Sequence, residues 1–255
     1  MSDQTQGGDA ALAKLLAMSR PAACGTILDT PPKGHASRVG GPAWLPSAAD
    51  WPTDEAGPHV LLAAVNFAEF GPLPGFPRDG LLQVFIGAGD FYGADFADLA
   101  AGRYAIRYDA KAALGGLGAF VRPGGPADEA PMSDAVQTEG RAVLFGVGEM
   151  APSMADHRAV AMMNAMPDEA ADAFYDTYDA RVPPTPDVWL GGHPDFTQAD
   201  VREDPRYYEY TEVLLQVSAS DAVMFGDVGE AAFLIRPPDL MAGRFERAVY
   251  TWDCC

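Results

Sequence analysis

The sequence predicts an α+β fold in which two related halves, each with a mostly antiparallel or mixed β-sheet, pack with a few helices into one compact body. Three observations support this. Short apolar runs cluster near both ends of the chain, helical periodicity is confined to one stretch between them, and landmarks of the first half recur in the same order in the second. Strands grouped apart from helices favour α+β over an alternating α/β fold.

The first predicted half spans about residues 36–110 and carries three strands. Residues 60–67 and 81–86 are apolar runs bounded by glycine, proline and aspartate, a pattern typical of buried strands. Residues 104–108 alternate polar and apolar side chains, which indicates a strand with one exposed face.

The second predicted half, about residues 188–255, repeats the landmarks of the first. A glycine pair opens both patterns, and Val65 follows Gly41 by 24 residues where Val217 follows Gly192 by 25. Self-similarity of this kind predicts an internal duplication. Because glycine reaches backbone angles closed to other residues, each pair is expected to turn the chain into the first strand of its half.

The remaining segments flank or connect these halves. Residues 1–35 are interpreted as a leader with a short helix, and residues 36–255 as a single domain. Within it, residues 111–187 form a Gly- and Pro-rich connection followed by helices, which Pro167 divides in two. The predicted apolar helix face recurs every fourth residue: Met162, Met166, Ala170, Phe174 and Tyr178.

Charge excludes two classes of partner. With 36 acidic and 17 basic residues the net charge is −19, and such a polyanion is repelled by nucleic-acid phosphates and by anionic membranes. We therefore expect no nucleic-acid partner and no membrane partner, whereas a basic protein partner suits this charge. The oligomeric state is left open.

The N-terminus and the cysteines point to the cytoplasm. The first residues lack the basic charge of a signal peptide, and no run approaches the roughly 20 apolar residues of a membrane span. Cys24, Cys254 and Cys255 are an odd number and form no disulfide framework, which favours a reducing compartment. The role of the adjacent Cys254 and Cys255 is left open.

The sequence contains few features typical of a catalytic site. No Gly-x-Ser-x-Gly or phosphate-binding glycine motif occurs, and no cofactor is expected. Cys24 could meet His35 or His193 as a nucleophile pair. Arg202 and Arg206 are interpreted as structural partners of nearby aspartates, namely Asp200, Asp204 or Asp227. The weak candidates for metal ligands are His193, Asp195, Asp200 and Asp204.

Several stretches resemble the YwqG-like family of bacterial proteins over about residues 36–255. They include "GGPAWLP", "GLLQVFIG" and "DFYGADF" in the first half, and "LGGHPDFTQADVREDPR" and "YTWDCC" in the second. The resemblance implies a compact α+β fold but no reaction, cofactor or catalytic residue, and family members are sometimes encoded near toxin and immunity genes. Ala64 stands where a glutamine is expected, a place that Gln216 holds in the second half.

The sequence favours a non-enzymatic binding or protein-interaction protein whose halves form a cleft. The alternatives are a hydrolase that uses acids of the 193–206 loop, with or without a divalent metal, and a structural protein without a ligand. Exposed tryptophan and tyrosine are favoured anchors of interfaces. The predicted cleft residues are Trp44, His193, Asp195, Gln198, Arg206, Gln216 and Trp252.

Overall fold

The computed structural model describes residues 2–110, 114–116 and 118–255. Residue 1 of the predicted leader and residues 111–113 and 117 of the predicted connection lie outside the described residues. The strands are β1 (Arg20–Ile27), β2 (Arg38–Val39), β3 (Ala43–Leu45), β4 (Thr53–Asp54), β5 (Gly57–Pro58), β6 (Val60–Asn66), β7 (Leu81–Ile86), β8 (Tyr104–Asp109), β9 (Ala119–Val121), β10 (Arg141–Met150), β11 (Val188–Gly191), β12 (Glu212–Val217), β13 (Glu230–Ile235) and β14 (Val249–Asp253). The helices are α1 (Ser2–Leu16), α2 (Asp134–Glu139), α3 (His157–Asn164), α4 (Asp168–Arg181) and α5 (Pro237–Met241).

Ten strands form one sheet in the order β14-β13-β12-β11-β1-β10-β2-β6-β7-β8, and every pairing in it is antiparallel. Two small ribbons, β3–β9 and β4–β5, lie outside it. The prediction of a mostly antiparallel α+β fold is confirmed, but the sheets predicted for the two halves are joined into one continuous sheet through β1 and β10. The predicted strands at 60–67, 81–86 and 104–108 correspond to β6, β7 and β8.

The large sheet is nearly closed because its two edge strands approach each other. The Tyr104 hydroxyl on β8 donates to the carbonyl of Ala248, just before β14, at 2.7 Å. The Tyr104 ring also packs against Phe233 and Tyr250, with centroids 5.9 and 5.7 Å away. Apolar side chains from both halves therefore share one enclosed core.

Two central strands were not predicted. β1 lies between β10 and β11, although residues 20–27 were assigned to the leader, and β10 lies within the predicted connection. Their composition explains why the sequence did not predict them. β1 reads RPAACGTI and β10 reads RAVLFGVGEM, and alanine and glycine interrupt the alternation of apolar and polar residues that is typical of a strand. Their place in the sheet depends on pairing with distant strands.

The glycine pairs end the first strand of each half, which corrects the prediction that they lead into it. Gly40 and Gly41 follow β2, and Gly191 closes β11 before Gly192. All four have φ between 62° and 77°, the left-handed region that favours glycine. A Cβ on Gly40 would lie 2.3 Å from the carbonyl oxygen of Val136, so a side chain there is excluded by space as well.

Similar strand runs flank the central pair β1–β10. One side reads β2-β6-β7-β8 and the other β11-β12-β13-β14. The second and third strands of each run carry a register shift, between Leu61 and Ala63 in one and between Val213 and Leu215 in the other. The halves thus present the same order of strands to the core.

The helices α1, α3 and α4 pack into a separate apolar cluster. Leu12, Leu15 and Phe174 are fully buried there, and Pro167 is the N-cap of α4, as the predicted division required. Met162, Met166 and Tyr178 of the predicted apolar face are partly buried against the same cluster. A search of the described residues finds no helix with the length and apolarity that crossing a membrane requires.

Candidate functional site

The structure places the seven predicted cleft residues in four locations. One group lies beside β11 and β12, a second lies at the C-terminal strand, and two residues stand alone. The groups are His193, Asp195 and Gln216; Gln198 and Trp252; Trp44; and Arg206.

Trp44 and Arg206 each make contacts that stabilise the fold. The Trp44 ring contacts His35 and Phe120, with centroids 4.5 and 5.1 Å away. The Arg206 guanidinium binds Asp204 at 2.7 Å and donates to the carbonyl of Ala97 at 2.7 Å, which fastens its loop to the first half. The predicted pairing of Arg206 with Asp204 is therefore present.

Beside His193 lies a pocket of about 480 Å³, here called the proline-walled pocket. Its floor is the outer face of the central strands, where Cys24 and Trp189 are register partners on β1 and β11. Because α4 ends at Arg181 and prolines cannot continue a helix, the following residues form an extended wall. The lining residues are Cys24, Thr26, Glu149, Met150, Ala151, Ser153, Tyr178, 182–187, Trp189, His193 and Asp195.

The charge of the proline-walled pocket is negative. Three carboxylates line it, and none of its lining residues is a lysine or arginine. Asp187 accepts from the Ile27 amide at 2.7 Å, and Asp195 accepts from the Thr185 hydroxyl at 3.1 Å. Glu149 is exposed and has no hydrogen-bond or ion-pair partner among the described residues, so its carboxylate is free to meet a ligand.

His193 is held from three sides. Its Nε2 donates to the carbonyl of Met18 at 2.8 Å, its Nδ1 accepts from Arg158 at 2.9 Å, and its own carbonyl accepts from the Trp189 indole at 3.0 Å. A carbonyl can only accept, so Nε2 carries the ring proton. Burial is the main cause that lowers the pKa of His193 to about 4. The imidazole is thus neutral at pH 7 with both nitrogens in use.

These contacts work against a Cys24–His193 nucleophile pair. A general base needs a free ring nitrogen near the thiol, and both nitrogens of His193 are occupied. Burial also raises the pKa of the Cys24 thiol, which favours the unreactive protonated form.

Replacing His193 with glutamine is expected to reduce the acid sensitivity of the protein. The folded-state pKa near 4 lies below the ordinary 6.5, so unfolding takes up a proton between these values. His193 then contributes stability above pH 6.5 that is lost as the pH falls towards 4, by up to about 1.4 kcal/mol per pH unit. Urea unfolding at pH 5 and pH 7 measures this difference. Parallel losses in wild type and H193Q would contradict the assignment.

Gln216 connects the loop of Asp195 to a buried acid. Its side-chain oxygen accepts from the Asp195 amide at 3.2 Å, and its nitrogen donates to the Asp195 carbonyl at 2.7 Å and to Glu230 at 2.8 Å. Ser218 donates to the same carboxyl oxygen of Glu230 at 3.2 Å. Burial, followed by the charges of Asp195 and Asp253, raises the pKa of Glu230 to about 8. Glu230 is therefore protonated at neutral pH.

The first half has the same device, supplied by Gln83. Its side-chain oxygen accepts from the Trp44 amide at 2.7 Å, and its nitrogen donates to the Trp44 carbonyl at 2.9 Å and to Asp109 at 3.2 Å. Gln83 lies directly across from Ala64 in the β6–β7 register. Ala64 had suggested that the first half lacks this glutamine. Gln83 supplies it from the neighbouring strand.

A network of ion pairs between aspartates and arginines borders the pocket on the side of α3. Asp156 and Asp200 are buried, and Arg202 binds both of them at 3.1 and 2.6 Å, while Arg158 binds Asp156 at 2.6 Å. His157 binds Asp200 at 2.8 Å. Burial alone would raise the pKa of Asp156, but hydrogen bonds from Arg158 lower it well below its usual range. The predicted pairing of Arg202 with Asp200 is present.

This network contains the one described cluster with metal-ligand geometry. Ligand atoms of Asp156, His157 and Asp200 lie within 4.8 Å of one another. Of the four predicted metal ligands, Asp200 alone belongs to it. Asp204 is bound by Arg206, and His193 and Asp195 line the pocket. Sequence reasoning did not single out Asp156, although an aspartate just before a helix is an N-cap signal.

Exposed aromatic rings form a groove at the C-terminal strand, here called the aromatic groove. Phe91 and Phe96 are 60% and 51% exposed, and Trp252 donates its indole N–H to the Phe91 carbonyl at 2.8 Å. Gln198 and Cys254 complete the groove, and the Gln198 amide donates to the Cys254 carbonyl at 2.7 Å. All three cysteines are free thiols.

Comparison with known proteins identifies the family of this chain. No curated protein matches the chain. A family model with the description "domain of unknown function (DUF1963)" matches residues 37–254, which is most of the sequence. The chain therefore belongs to the DUF1963 family, whose function is unknown.

Proposed function

We propose that the protein is a non-enzymatic binding protein that takes a basic segment of a partner protein into the proline-walled pocket. The observation that carries this proposal is the lining of that pocket. The lining combines apolar residues with Glu149, Asp187 and Asp195, and it contains no lysine or arginine to compete for the charge of these acids.

The lining suits a lysine or arginine side chain better than a fully apolar one. Such side chains bury an aliphatic stem and keep a charged head at a polar rim. Met150 and Pro184 supply apolar surface for the stem, and the free carboxylate of Glu149 supplies a partner for the head. The volume of about 480 Å³ falls within the usual range of ligand pockets.

Long-range charge supports the same class of partner. A net charge of −19 attracts basic proteins before contact and repels acidic ones. The attraction between exposed charges is screened by salt over about 10 Å at 0.1 M. The proposed complex is therefore expected to weaken as salt is added.

The chemistry of the pocket supports binding rather than catalysis. His193 has no free ring nitrogen, and Cys24 is favoured as a thiol. The nearby carboxylates of Asp156 and Asp200 are already paired with Arg158 or Arg202.

Charge reversal at Glu149 is expected to weaken binding of the basic partner at least tenfold. E149K puts a cation where the partner's cation is held, and an exposed position without partners tolerates the change in the folded state. Affinity capture from lysate should recover a basic protein with wild type, and titration of that protein should show at least a tenfold weaker complex with E149K, about 1.4 kcal/mol.

The matched control is E246K, which makes the same charge change at an exposed glutamate outside the pocket. Because both variants alter the net charge equally, any difference between them reports the pocket itself. Equal recovery of the partner by E149K and E246K would overturn the proposal, as would capture of an acidic partner.

A hydrolase that uses acids of the 193–206 loop is the second candidate. The observation that favours it is the approach of Asp156, His157 and Asp200 to within 4.8 Å, close enough to share a divalent ion. It predicts that added metal raises the melting temperature and that D200N removes this increase. The arginines on both carboxylates argue against it, because they already supply the opposite charge.

We also infer that the two halves arose by duplication. Support comes from the repeated strand order, the positive-φ glycine pairs and the glutamines that hold the third residue after each pair. The three free cysteines support a cytoplasmic setting, because they suit a reducing compartment. The resemblance to the YwqG-like bacterial proteins makes a basic toxin, or a protein encoded with one, a candidate for the partner.

A further inference from the structure

The strand β10 is paired along most of one edge but along only the start of the other. β1 pairs with residues 143–150 of β10 in a register without shifts, whereas β2 pairs only with Arg141 and Ala142. Beyond Ala142, no described strand pairs with this second edge, here called the open edge. An unpaired edge presents a row of free N–H and C=O groups, which is a template for another strand.

Hydrogen bonds at the start of β10 show which backbone groups face the open edge. The Ala142 carbonyl accepts from the Leu28 amide at 2.8 Å, so the backbone groups of Ala142 point towards the continuation of β1. The Val143 amide points the other way and donates to the Ser37 carbonyl, just before β2, at 2.9 Å. Because successive residues of a strand point to alternate edges, every second residue after Val143 faces the open edge. These residues are Phe145, Val147 and Glu149.

The later part of the open edge is accessible. The backbone groups of Val147 and Glu149 have no hydrogen-bond partner among the described residues, and both residues are exposed. Gly146 and Gly148 are exposed as well, and because glycine has no side chain, this exposure is that of the backbone itself. A Cβ on either glycine would meet nothing within 4 Å, so the space beside this part of the strand is open.

The open edge lacks the residues that usually prevent pairing with another chain. Natural edge strands are commonly protected by lysine or proline, and residues 143–150 contain neither. The one charged residue in this stretch is Glu149, whose carboxylate has no partner among the described residues. An acid at this position favours a basic segment and repels an acidic one. The net charge of −19 opposes pairing between two copies of this chain in the same way.

We infer that the basic segment of the partner binds as an extended strand along the open edge of β10. The inference rests on the proposed function, because it describes how the same segment binds. Glu149 belongs both to the open edge and to the lining of the proline-walled pocket, as does the end of the strand at Met150. A strand along the open edge therefore reaches the pocket, where its basic side chain meets the free carboxylate of Glu149.

The two parts of this interface have different roles. Hydrogen bonds between main chains contribute affinity for an extended segment of almost any sequence, and the pocket contributes the preference for a basic side chain. At about 3.4 Å per residue, the open edge from Phe145 to Glu149 is about 14 Å long. This length suits a segment of about five residues.

A heptapeptide of alternating lysine and valine is a suitable probe, because it is basic and its backbone can pair with a strand edge. Saturation with this peptide should slow hydrogen exchange at the amides of Val147 and Glu149 by about tenfold or more, since both amides gain a carbonyl partner. The amides of Gly146 and Gly148 point towards β1 and should keep their exchange rates. The same peptide with every peptide nitrogen methylated keeps its charge but has no main-chain donor, and it should bind about tenfold more weakly or worse.

A pair of variants at Val147 separates the role of the backbone from that of the side chain. V147P removes the outward N–H, and proline is tolerated where the N–H of an edge strand faces solvent. V147A shortens the side chain but keeps the amide. V147P should weaken peptide binding by about tenfold or more, and V147A should leave it within about twofold of wild type. If V147P does not fold, the exchange rates of the wild-type complex still decide between the outcomes.

Three results would each overturn the inference: no binding of the peptide at a concentration on the order of 1 mM; equal affinity for the methylated and unmethylated peptides; or unchanged exchange at Val147 and Glu149 in the complex. The variant E149K distinguishes this inference from the proposed function. Binding that is lost in E149K, with unchanged exchange at Val147 in the wild-type complex, would overturn strand addition and leave the pocket as the binding site. Slower exchange at Val147 with equal affinity in E149K and E246K would support strand addition and contradict the proposed role of the pocket.

Discussion

Replacing Asp156 with alanine is expected to lower the free energy of unfolding by about 3–5 kcal/mol, the usual cost of removing one partner from a buried ion pair. Asp156 is fully buried and binds both Arg158 and Arg202. The Arg202 side chain is 5% exposed, so it cannot exchange the lost carboxylate for bulk water. Urea unfolding at pH 7 measures the change.

Two further variants separate the causes of that loss. Asp156 is also the N-cap of α3, where its side chain accepts from the Arg158 amide at 2.9 Å, a contact worth about 1 kcal/mol. D156N retains a good N-cap and removes only the charge, so most of the loss should persist. D172A, at an exposed aspartate of α4, should change stability by no more than about 0.5 kcal/mol. A D156A protein within this range of wild type would refute the role of the network.

Replacing Glu230 with glutamine is expected to remove a loss of stability at alkaline pH. The folded-state pKa of about 8 lies above the ordinary 4.5, so the folded protein holds a proton that the unfolded chain releases between these values. Stability from this group is complete below pH 4.5 and falls as the pH rises towards 8, by up to about 1.4 kcal/mol per pH unit. Glutamine stays neutral at every pH, so E230Q does not lose stability at this position as the pH rises.

The hydrogen bonds allow the substitution. Gln216 and Ser218 both donate to one oxygen of Glu230, and the amide oxygen of glutamine can accept both bonds. We expect E230Q and wild type to melt within a degree or two of each other at pH 5 and E230Q to melt at a clearly higher temperature at pH 9. E246Q, at an exposed glutamate, serves as the control and should follow wild type at both values. If E230Q also followed wild type at pH 9, Glu230 would have to be ionised in the fold.

The sequence was most informative where burial follows from local composition. β6, β7 and β8 were predicted within a residue or two because their apolar runs end at turn residues. Pro167 divides the helices as predicted because a proline within a helix removes a hydrogen bond. β1 and β10 were missed because small residues carry little signal, and pairing with distant strands decides their burial.

The sites depended on tertiary structure to a greater degree. His193, Asp195 and Gln216 were singled out and do lie together, but the free carboxylate of Glu149 and the floor residue Cys24 reach them only through the pairing of β1 with β10 and β11. Gln83 lies within a predicted apolar strand, but its hydrogen bonds join it to Trp44, which is 39 residues earlier in the chain. Nothing in the spacing of residues 51–59 indicated that His59 would be buried with one ring nitrogen unpaired among the described residues.

The sequence by itself determined the acidic charge, the antiparallel α+β class and the main strands of both halves, because these follow from composition and from short-range periodicity. The tertiary structure alone decided which strands lie at the centre, which carboxylates are paired with arginines and which described polar atoms are buried without a partner. The physical reason is that a hydrogen bond or an ion pair requires two groups within about 3 Å, and the groups that meet here are brought together by sheet pairing from positions as far apart as Met18 and His193.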